Sequence, residues 1–393
     1  MQKPYNMKNI LLFLFGLVVI GLAGCGKNGP EFPEPLASSA PKVLRVYSWS
    51  DYFDPEVLKT FEQEAGVSVE YGVFGSTDEM EAKLRSEPGK WDVVVVNDNI
   101  IDELAELRLI RKLDHSKLPN MKNLADRRSL SKNTPFDPEN ELSIPYMWGT
   151  TLVAYRKDKI PNPEQSWNLL WDPALQGKVR MIGERFEILS IPQILLGQSI
   201  NSSDPQLIRA ATDKLIEQIE NDVRIGDDAD VREGLDAGDV WAAMCYSGDA
   251  AMVVEKNENV DFFIPKEGAP LWIDCFAVVR DSSAMDLAHD FVNFMLDAEI
   301  AAKSSNYTWH DNLNHASRPH IDEELLSNPH IIPPAEVMDK CSWFTKLDAK
   351  REQLLNEAWL EVQRKLKDRQ QEVAKVDGDR VSAEFTGVES EEE

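Results

Sequence analysis

Short apolar runs alternate with amphipathic segments along most of the chain. The runs that are rich in β-branched and aromatic residues predict strands. These predicted strands are Val43–Trp49, Val67–Phe74, Trp91–Val96, Gly177–Ile182, Val240–Cys245, Asp261–Ile264 and Trp272–Val279. Trp91–Val96 is apolar without interruption, which is typical of a strand that is covered on both faces.

The segments between the predicted strands carry helix signals. Asp54 and Pro55 provide a cap and a first-turn proline for a helix that ends at Gly66, and Ser76–Glu79 has the sequence of a capping box. Further helices are predicted at 101–109, 186–197, 205–220, 286–303 and 348–374. The alternation of strands and helices predicts an α/β fold with a mostly parallel sheet, and the chain is long enough for two such lobes.

The N-terminus predicts export. Lys3 and Lys8 precede the apolar run Ile10–Ile20, which is too short to cross a membrane and has the form of a signal peptide. The following Leu22-Ala23-Gly24-Cys25 resembles the lipobox of bacterial lipoproteins, so residues 1–24 are expected to be removed and Cys25 to carry a lipid. An ordinary signal peptide with an incidental cysteine is the alternative. Residues 25–42 contain several prolines and are expected to form a flexible, lipid-anchored linker.

The composition is acidic. Lys and Arg together number 42 against 68 Asp and Glu, which gives a net charge of −26. Such a charge repels nucleic acid and attracts cations, although it also serves solubility alone. Residues 376–393 are acidic without an apolar period and are predicted to be disordered. An oxidising compartment allows one disulfide among Cys245, Cys275 and Cys341, or all three are buried thiols.

Several sequence blocks occur in the order that one protein family shows. They are Val46–Tyr52, Leu113–Pro119, Ile144–Thr151, Ser166-Trp167, Leu175–Val179, Ile264–Gly268 and Trp272–Asp274. In these blocks the chain resembles the periplasmic spermidine/putrescine-binding proteins of ABC transporters, over about residues 43–359. The resemblance implies a type II periplasmic-binding-protein fold, in which a ligand cleft lies between two α/β lobes joined by crossing strands. It implies neither an enzyme nor a cofactor.

The resemblance also implies the division of the chain and its partners. Lobe 1 would comprise residues 43–150 and a return segment at 271–318, and lobe 2 would comprise residues 151–270 and C-terminal helices at 319–375. The partners would be a polyamine and the membrane permease and ATPase of the transporter. The protein would be a monomer, in the periplasm or at the cell surface, anchored to the membrane by the lipid on Cys25.

Two acid–aromatic clusters suit a polyamine, which is a methylene chain that carries ammonium groups. Carboxylates give such a ligand charge-assisted hydrogen bonds, and aromatic faces cover its methylenes. Trp49-Ser50-Asp51-Tyr52 follows a strand at its carboxyl end, where α/β sheets bind ligands, although core aromatics beside a turn residue would look the same. Trp272-Ile273-Asp274 lies within an apolar strand, where an unpaired carboxylate is costly.

Two further clusters lie at predicted helix starts. By the resemblance, Tyr246 stands where the family has a tryptophan, Asp249 binds an ammonium, and Glu184 with Glu187 holds a terminal amine. A helix cap and an acidic first turn favoured by the helix dipole are the alternative explanations. Tyr307 matches a pocket tyrosine through the resemblance alone.

The chain departs from the family pattern after the strand at Trp91–Val96. Asn97-Asp98-Asn99 replaces the usual proline and serine in a loop that faces the ligand, so Asp98 adds a carboxylate and Asn99 replaces an aromatic residue or a serine. Surplus buried charge is costly, so the three charges of spermidine match the set of carboxylates better than the two of putrescine. That set is Asp51, Glu184, Glu187, Asp249 and Asp274. The changed loop leaves the preferred ligand length open.

The sequence gives little support to other functions. It contains no nucleophile elbow, zinc-protease motif or phosphate-binding glycine loop. His310, His315 and His320 recur every five residues, which fits neither a helix face nor a usual zinc spacing, so no metal site is predicted. The same fold with another small ligand, or a polyamine sensor that is not coupled to transport, remains an alternative.

Overall fold

The computed structural model describes residues 42–127 and 136–387, with side chains as far as residue 372. The predicted signal peptide, Cys25, the linker up to residue 41 and residues 388–393 lie outside the described residues. Within the part of the chain that the structure describes, no helix is both long enough and apolar enough to span a bilayer.

The described residues form ten strands that belong to one continuous sheet. In chain order the strands are β1 (Lys42–Ser48), β2 (Val67–Val73), β3 (Val93–Asn97), β4 (Ser143–Arg156), β5 (Val179–Ile182), β6 (Arg224–Gly226), β7 (Ala242–Tyr246), β8 (Val260–Phe263), β9 (Pro270–Val278) and β10 (Ser342–Trp343). The helices are α1 (Pro55–Ala65), α2 (Thr77–Ser86), α3 (Ile101–Glu106), α4 (Arg185–Leu195), α5 (Pro205–Glu220), α6 (Asp228–Ala237), α7 (Ser247–Lys256), α8 (Met285–Met295), α9 (Ala298–Thr308), α10 (Glu323–Ser327), α11 (Ala335–Met338) and α12 (Ala349–Gly387).

The order of neighbouring strands divides the sheet into two halves. It runs β2-β1-β3-β9-β4-β7-β5-β6, with β10 beside β9 and β8 beside β4. Strands β1, β2 and β3 are parallel to one another, as are β5, β6 and β7. We call the half with β1, β2, β3, β9 and β10 lobe 1, and the half with β5, β6, β7 and β8 lobe 2.

Strand β4 connects the two lobes. Its first residues pair antiparallel with β9 as far as Thr150, and from Thr151 onward it pairs antiparallel with β7. The sequence did not predict this strand, because Pro145 and Gly149 both argue against a strand interior. The ladder accommodates Pro145 with a register shift, and a side chain at Gly149 would collide with the ring of Trp272, 2.7 Å from its Cζ2.

The local helix signals have the predicted outcome in lobe 1. Asp54 accepts a hydrogen bond from the backbone N–H of Glu56, and α1 stops at Gly66, whose φ of 64° is easy only for glycine. Ser76 likewise caps α2 by accepting from the N–H of Glu79. These predictions are confirmed because each depends on residues that are close in sequence.

Other helix predictions need correction. The helix predicted at 286–303 is two helices, α8 and α9, because Asp297 turns extended and caps the N–H groups of Glu299 and Ile300. The prediction that residues 376–393 are disordered is wrong for residues 376–387, which continue α12. Elongating a helix is far easier than nucleating one, so weak helix formers can prolong it. Strand β6 and helix α6 were not predicted.

An aromatic cluster in lobe 1 fixes the segment that follows β1. The ring of Phe53 stacks on Tyr146 at 5.5 Å and on Phe276 at 6.1 Å, and it meets the edge of Tyr71 at 5.5 Å. The backbone carbonyl of Tyr52 accepts a hydrogen bond of 2.9 Å from the Tyr146 hydroxyl. The buried Phe53 therefore holds its neighbour Tyr52 at the boundary between the lobes.

Candidate functional site

A cavity of about 660 Å³, counting solvent at its mouth, lies between the two lobes. Strands β1, β3 and β7 point their carboxyl ends towards it, which is where α/β sheets generally bind ligands. The cavity is lined by Trp49, Ser50, Asp51, Tyr52, Thr77, Asn97, Asn99, Glu184, Phe186, Glu187, Asp228, Tyr246, Asp249, Met252, Trp272, Asp274, Thr308 and His310.

Aromatic rings form one wall of the cavity. Trp272 meets Tyr246 edge to face at 5.5 Å and His310 at 4.9 Å, and its buried indole N–H has no hydrogen-bond partner among the described residues. Burial lowers the pKa of His310 to about 3, and the charge of Arg232 acts in the same direction. The His310 ring is therefore neutral, so this wall offers aromatic faces and one indole donor.

Three carboxylates line the cavity without an ion pair to any described Lys or Arg: those of Glu187 and Asp274 are buried, and that of Glu184 is half-buried. Glu184 accepts a hydrogen bond of 3.0 Å from the backbone N–H of Thr77 across the cleft. Glu187 accepts a hydrogen bond of 2.6 Å from the Thr151 hydroxyl, and Asp274 accepts a hydrogen bond of 2.7 Å from the Tyr52 hydroxyl. We call Glu184, Glu187 and Asp274 the open acid cluster, because single hydrogen bonds leave most of their acceptor capacity unused.

Burial makes the charged forms of these acids unfavourable. Burial is the main reason that the pKa of Glu187 is raised to about 8. The hydrogen bond from Thr151 acts in the opposite direction, and the charges of Glu184 and Asp274 act in the same direction as burial. Burial raises the pKa of Asp274 to about 7, against the hydrogen bond from Tyr52. The pKa of Glu184 is raised in the same way. A bound cation would reverse these shifts, since an opposite charge favours the ionised carboxylate.

A second set of acids surrounds one arginine. Arg232 in α6 forms ion pairs of 2.7 Å with Asp51, 2.8 Å with Asp228 and 2.5 Å with Asp249. Asp51 belongs to lobe 1, whereas the other three residues belong to lobe 2, so the guanidinium bridges the lobes. Burial lowers the pKa of Arg232, but the charges of Asp249 and Asp228 more than offset this and raise it. We call Asp51, Asp228 and Asp249 the closed acid cluster.

Comparisons with known proteins identify the family of this chain. The profile of the family described as "Bacterial extracellular solute-binding protein" matches residues 56–311. The putrescine-binding periplasmic protein PotF of Escherichia coli is 32% identical over 82% of this chain and 91% of its own length. The chain belongs to the bacterial extracellular solute-binding protein family.

Further members of this family support the assignment. The putrescine-binding periplasmic protein SpuD of Pseudomonas aeruginosa is 33% identical over 92% of this chain and 99% of its own length. A solved structure from Listeria monocytogenes, described as a spermidine/putrescine ABC transporter, is 30% identical with a TM-score of 0.75, over 82% of this chain and 99% of the other. These matches confirm the predicted two-lobed periplasmic-binding-protein fold, and the relatives are binding proteins of transport systems rather than enzymes.

Most of the predicted site residues of this solute-binding protein line its cavity. They are Trp49, Ser50, Asp51, Tyr52, Asn99, Glu184, Glu187, Tyr246, Asp249, Trp272 and Asp274. Asp98 does not line it: its side chain is buried beside β9, and burial raises its pKa to about 7. Tyr307 lines a neighbouring groove instead, together with Asp51 and Arg232.

The sequence analysis missed three residues that shape the cleft. Asp228 and Arg232 lie on α6, whose sequence resembles that of an exposed helix, and His310 had been weighed only as a metal ligand. All five predicted carboxylates line the cavity, and two of them, Asp51 and Asp249, already pair with Arg232. Asp228 adds a sixth acid to the cleft and Arg232 adds one positive charge, so the net charge of the ionised set is still that of five carboxylates, and the sequence-based preference for spermidine stays a prediction.

The thiols and histidines form no second site in the part of the chain that the structure describes. Cys245, Cys275 and Cys341 are all free, so the optional disulfide does not form. No group of three His, Cys, Asp or Glu side chains among the described residues is placed to hold a metal ion. His315 and His320 lie on the exposed surface, away from the buried His310.

The open acid cluster predicts how stability depends on pH in the ligand-free protein. Glu187 binds its proton more tightly in the folded chain, with a pKa of about 8, than in the unfolded chain, where it is about 4.3. The stability that this group contributes is therefore complete below about pH 4 and is lost progressively as the pH rises to 8, by about 5 kcal/mol in all. Glu187→Gln, which carries no titratable proton, should flatten the curve of melting temperature against pH.

The matched control is Glu336→Gln, because Glu336 is exposed and far from the cleft. It should keep the wild-type pH dependence. A Glu187→Gln variant with the full wild-type slope between pH 5 and 8 would show that this carboxyl does not titrate as described.

Proposed function

We propose that this protein captures a polyamine outside the cytoplasm for uptake by an ABC transporter. The observation that carries the proposal is the open acid cluster, two buried carboxylates and one half-buried carboxylate that share one cavity with aromatic walls and form no ion pair with a described Lys or Arg. A buried carboxylate is costly unless a positive charge and hydrogen-bond donors compensate it. An ammonium group provides both.

The remaining walls suit the rest of a polyamine. Methylene groups need apolar cover, and an ammonium is attracted to an aromatic face by about 0.5–2 kcal/mol. Trp272 and Tyr246 supply such faces within 5.5 Å of each other. The names of the relatives, which include putrescine-binding and spermidine/putrescine-binding proteins, support the same ligand class.

An amino acid or an anion suits this cavity less well. Either ligand needs a positive group for its carboxylate or phosphate, and anion sites use free arginines for this purpose. Arg232 is engaged by three aspartates. A ligand carboxylate would have to displace one of them and would then face the remaining acids. A ligand with positive charges only avoids this conflict.

The membrane partners follow from the family. A solute-binding protein delivers its ligand to a permease that an ATPase drives, so we infer these two partners here. We also infer a lipid anchor at Cys25, which rests on the lipobox resemblance of Leu22–Cys25. An anchor would keep the binding protein near the permease, with residues 25–42 as the tether.

Asp274→Asn should weaken polyamine binding roughly thirty-fold to a few-thousand-fold, because it removes one charge from a buried ion pair worth about 2–5 kcal/mol. Titration calorimetry with putrescine and spermidine measures the loss. The matched control is Asp92→Asn, since Asp92 is also buried but does not line the cavity, and it should change the affinity less than three-fold. A loss below three-fold for Asp274→Asn would remove Asp274 from the site. A wild type that binds neither polyamine would refute the proposed function.

Cys25→Ser should move the protein from the membrane fraction to the soluble periplasmic or external fraction, because the acceptor of the lipid is lost. Fractionation of cells that express the wild type and the variant measures the shift, and mass spectrometry of the mature N-terminus identifies the modification. An unmodified Cys25 in the wild type would contradict the anchor.

A further inference from the structure

Arg232 separates two cavities. The ligand cavity between the lobes and an outer groove share Asp51 and Met252 in their linings, and Arg232 lines the groove on the far side of them. Only 12% of the Arg232 side chain is exposed. The guanidinium also donates a hydrogen bond of 3.3 Å to the Ser50 hydroxyl of lobe 1. A positively charged side chain thus lies directly behind three acids of the ligand cavity and forms part of the wall of the groove.

Beyond this partition the groove is acidic and partly aromatic. Its lining includes Glu233, Asp236, Glu255 and Glu324, the aromatic residues Tyr307 and Trp309, and one lysine, Lys256. The Trp309 indole donates to Glu255 at 3.3 Å. A long polycation would therefore find carboxylates on both sides of Arg232, and the arginine is the element that interrupts them.

We propose that Arg232 sets the length limit of the site: it is a built-in cation that fills one end of the cleft, so the site accepts a diamine and excludes a longer triamine. This inference rests on the proposed polyamine function and adds the ligand class. The two ammonium groups of a diamine can use the open acid cluster. The third ammonium of a triamine would reach the closed acid cluster, whose members already pair with Arg232.

The physical reason is like-charge repulsion in a poorly screened site. Asp51 and Asp249 each accept from the guanidinium at 2.7 Å or less, so an ammonium bound to either would lie close to Arg232. Like charges that meet in an interface cost several kcal/mol. The triamine must therefore bend away, lose one ammonium contact or displace the arginine, and each route weakens its binding relative to the diamine.

The test compares Kd values for putrescine and spermidine by titration calorimetry at one salt concentration. The wild type should bind putrescine more tightly than spermidine. Arg232→Ala joins the ligand cavity to the groove and frees the closed acid cluster, so it should shift the ratio of the two Kd values towards spermidine by on the order of ten-fold or more. Arg224→Ala is the matched control, because it removes one positive charge from an exposed position in the same lobe and should leave the ratio unchanged.

A wild type that prefers spermidine would overturn the inference, and so would an Arg232→Ala ratio within three-fold of the wild-type ratio. Neither result touches the polyamine assignment, which fails only if the wild type binds neither ligand. Circular dichroism checks that the variant is folded. If Arg232→Ala is not folded, Arg232→Met, which keeps the apolar stem and loses the charge, takes its place with the same expectation, and the wild-type preference still decides.

Discussion

The structure depends on carboxylates that are buried between two lobes and therefore need positive charge. Six acids line the cleft; Asp51 is exposed, and burial penalises the uncompensated charge of the other five. The chain itself compensates one group in part, with one Arg232 for three aspartates, and leaves the other group to hydrogen bonds and protons. A cation that enters the cleft supplies the missing charge. Binding energy and lobe closure thus have a common electrostatic origin.

Each of the two acid clusters makes a contact between the lobes. The closed acid cluster draws the lobes together through Arg232, which reaches Asp51 on lobe 1 from α6 on lobe 2. The open acid cluster spans the same boundary, since Thr77 in lobe 1 donates to Glu184 in lobe 2. Only the second cluster has no ion pair with a described Lys or Arg. A cation bound there would add contacts to both lobes at once, which is how a ligand favours a closed state.

Sequence reasoning predicted what depends on neighbours in the chain. The caps at Asp54 and Ser76, the alternation of strands and helices, and most of the cavity lining follow from short patterns or from blocks shared with a family. The crossing strand β4 escaped prediction because Pro145 and Gly149 disfavour a strand locally, while pairing with β9 and β7 overrides them. The break between α8 and α9 at Asp297 was not predicted, because an acidic residue within a helical pattern of apolar residues is also typical of an exposed position on a continuous helix.

Arg232 was not predicted as part of the site for the same reason, because its contacts depend on the tertiary fold. Nothing in the sequence around Arg232 indicates that it meets Asp51, 181 positions away. A count of carboxylates alone could not include a counter-ion that only the tertiary fold brings to them. Tyr307 is the opposite case. It was assigned to the ligand cavity by its position in the family pattern, but it lines the outer groove in the structure.

The exchange of protons for a ligand cation tests this account most directly. Calorimetry of putrescine binding near pH 7, repeated in buffers with different enthalpies of ionisation, measures the protons released or taken up. Glu187 and Asp274 have pKa values of about 8 and about 7 before binding, and a bound ammonium favours their ionised forms. The account predicts net proton release, which should decrease in Glu187→Gln. Binding without proton exchange, or with proton uptake, would contradict it.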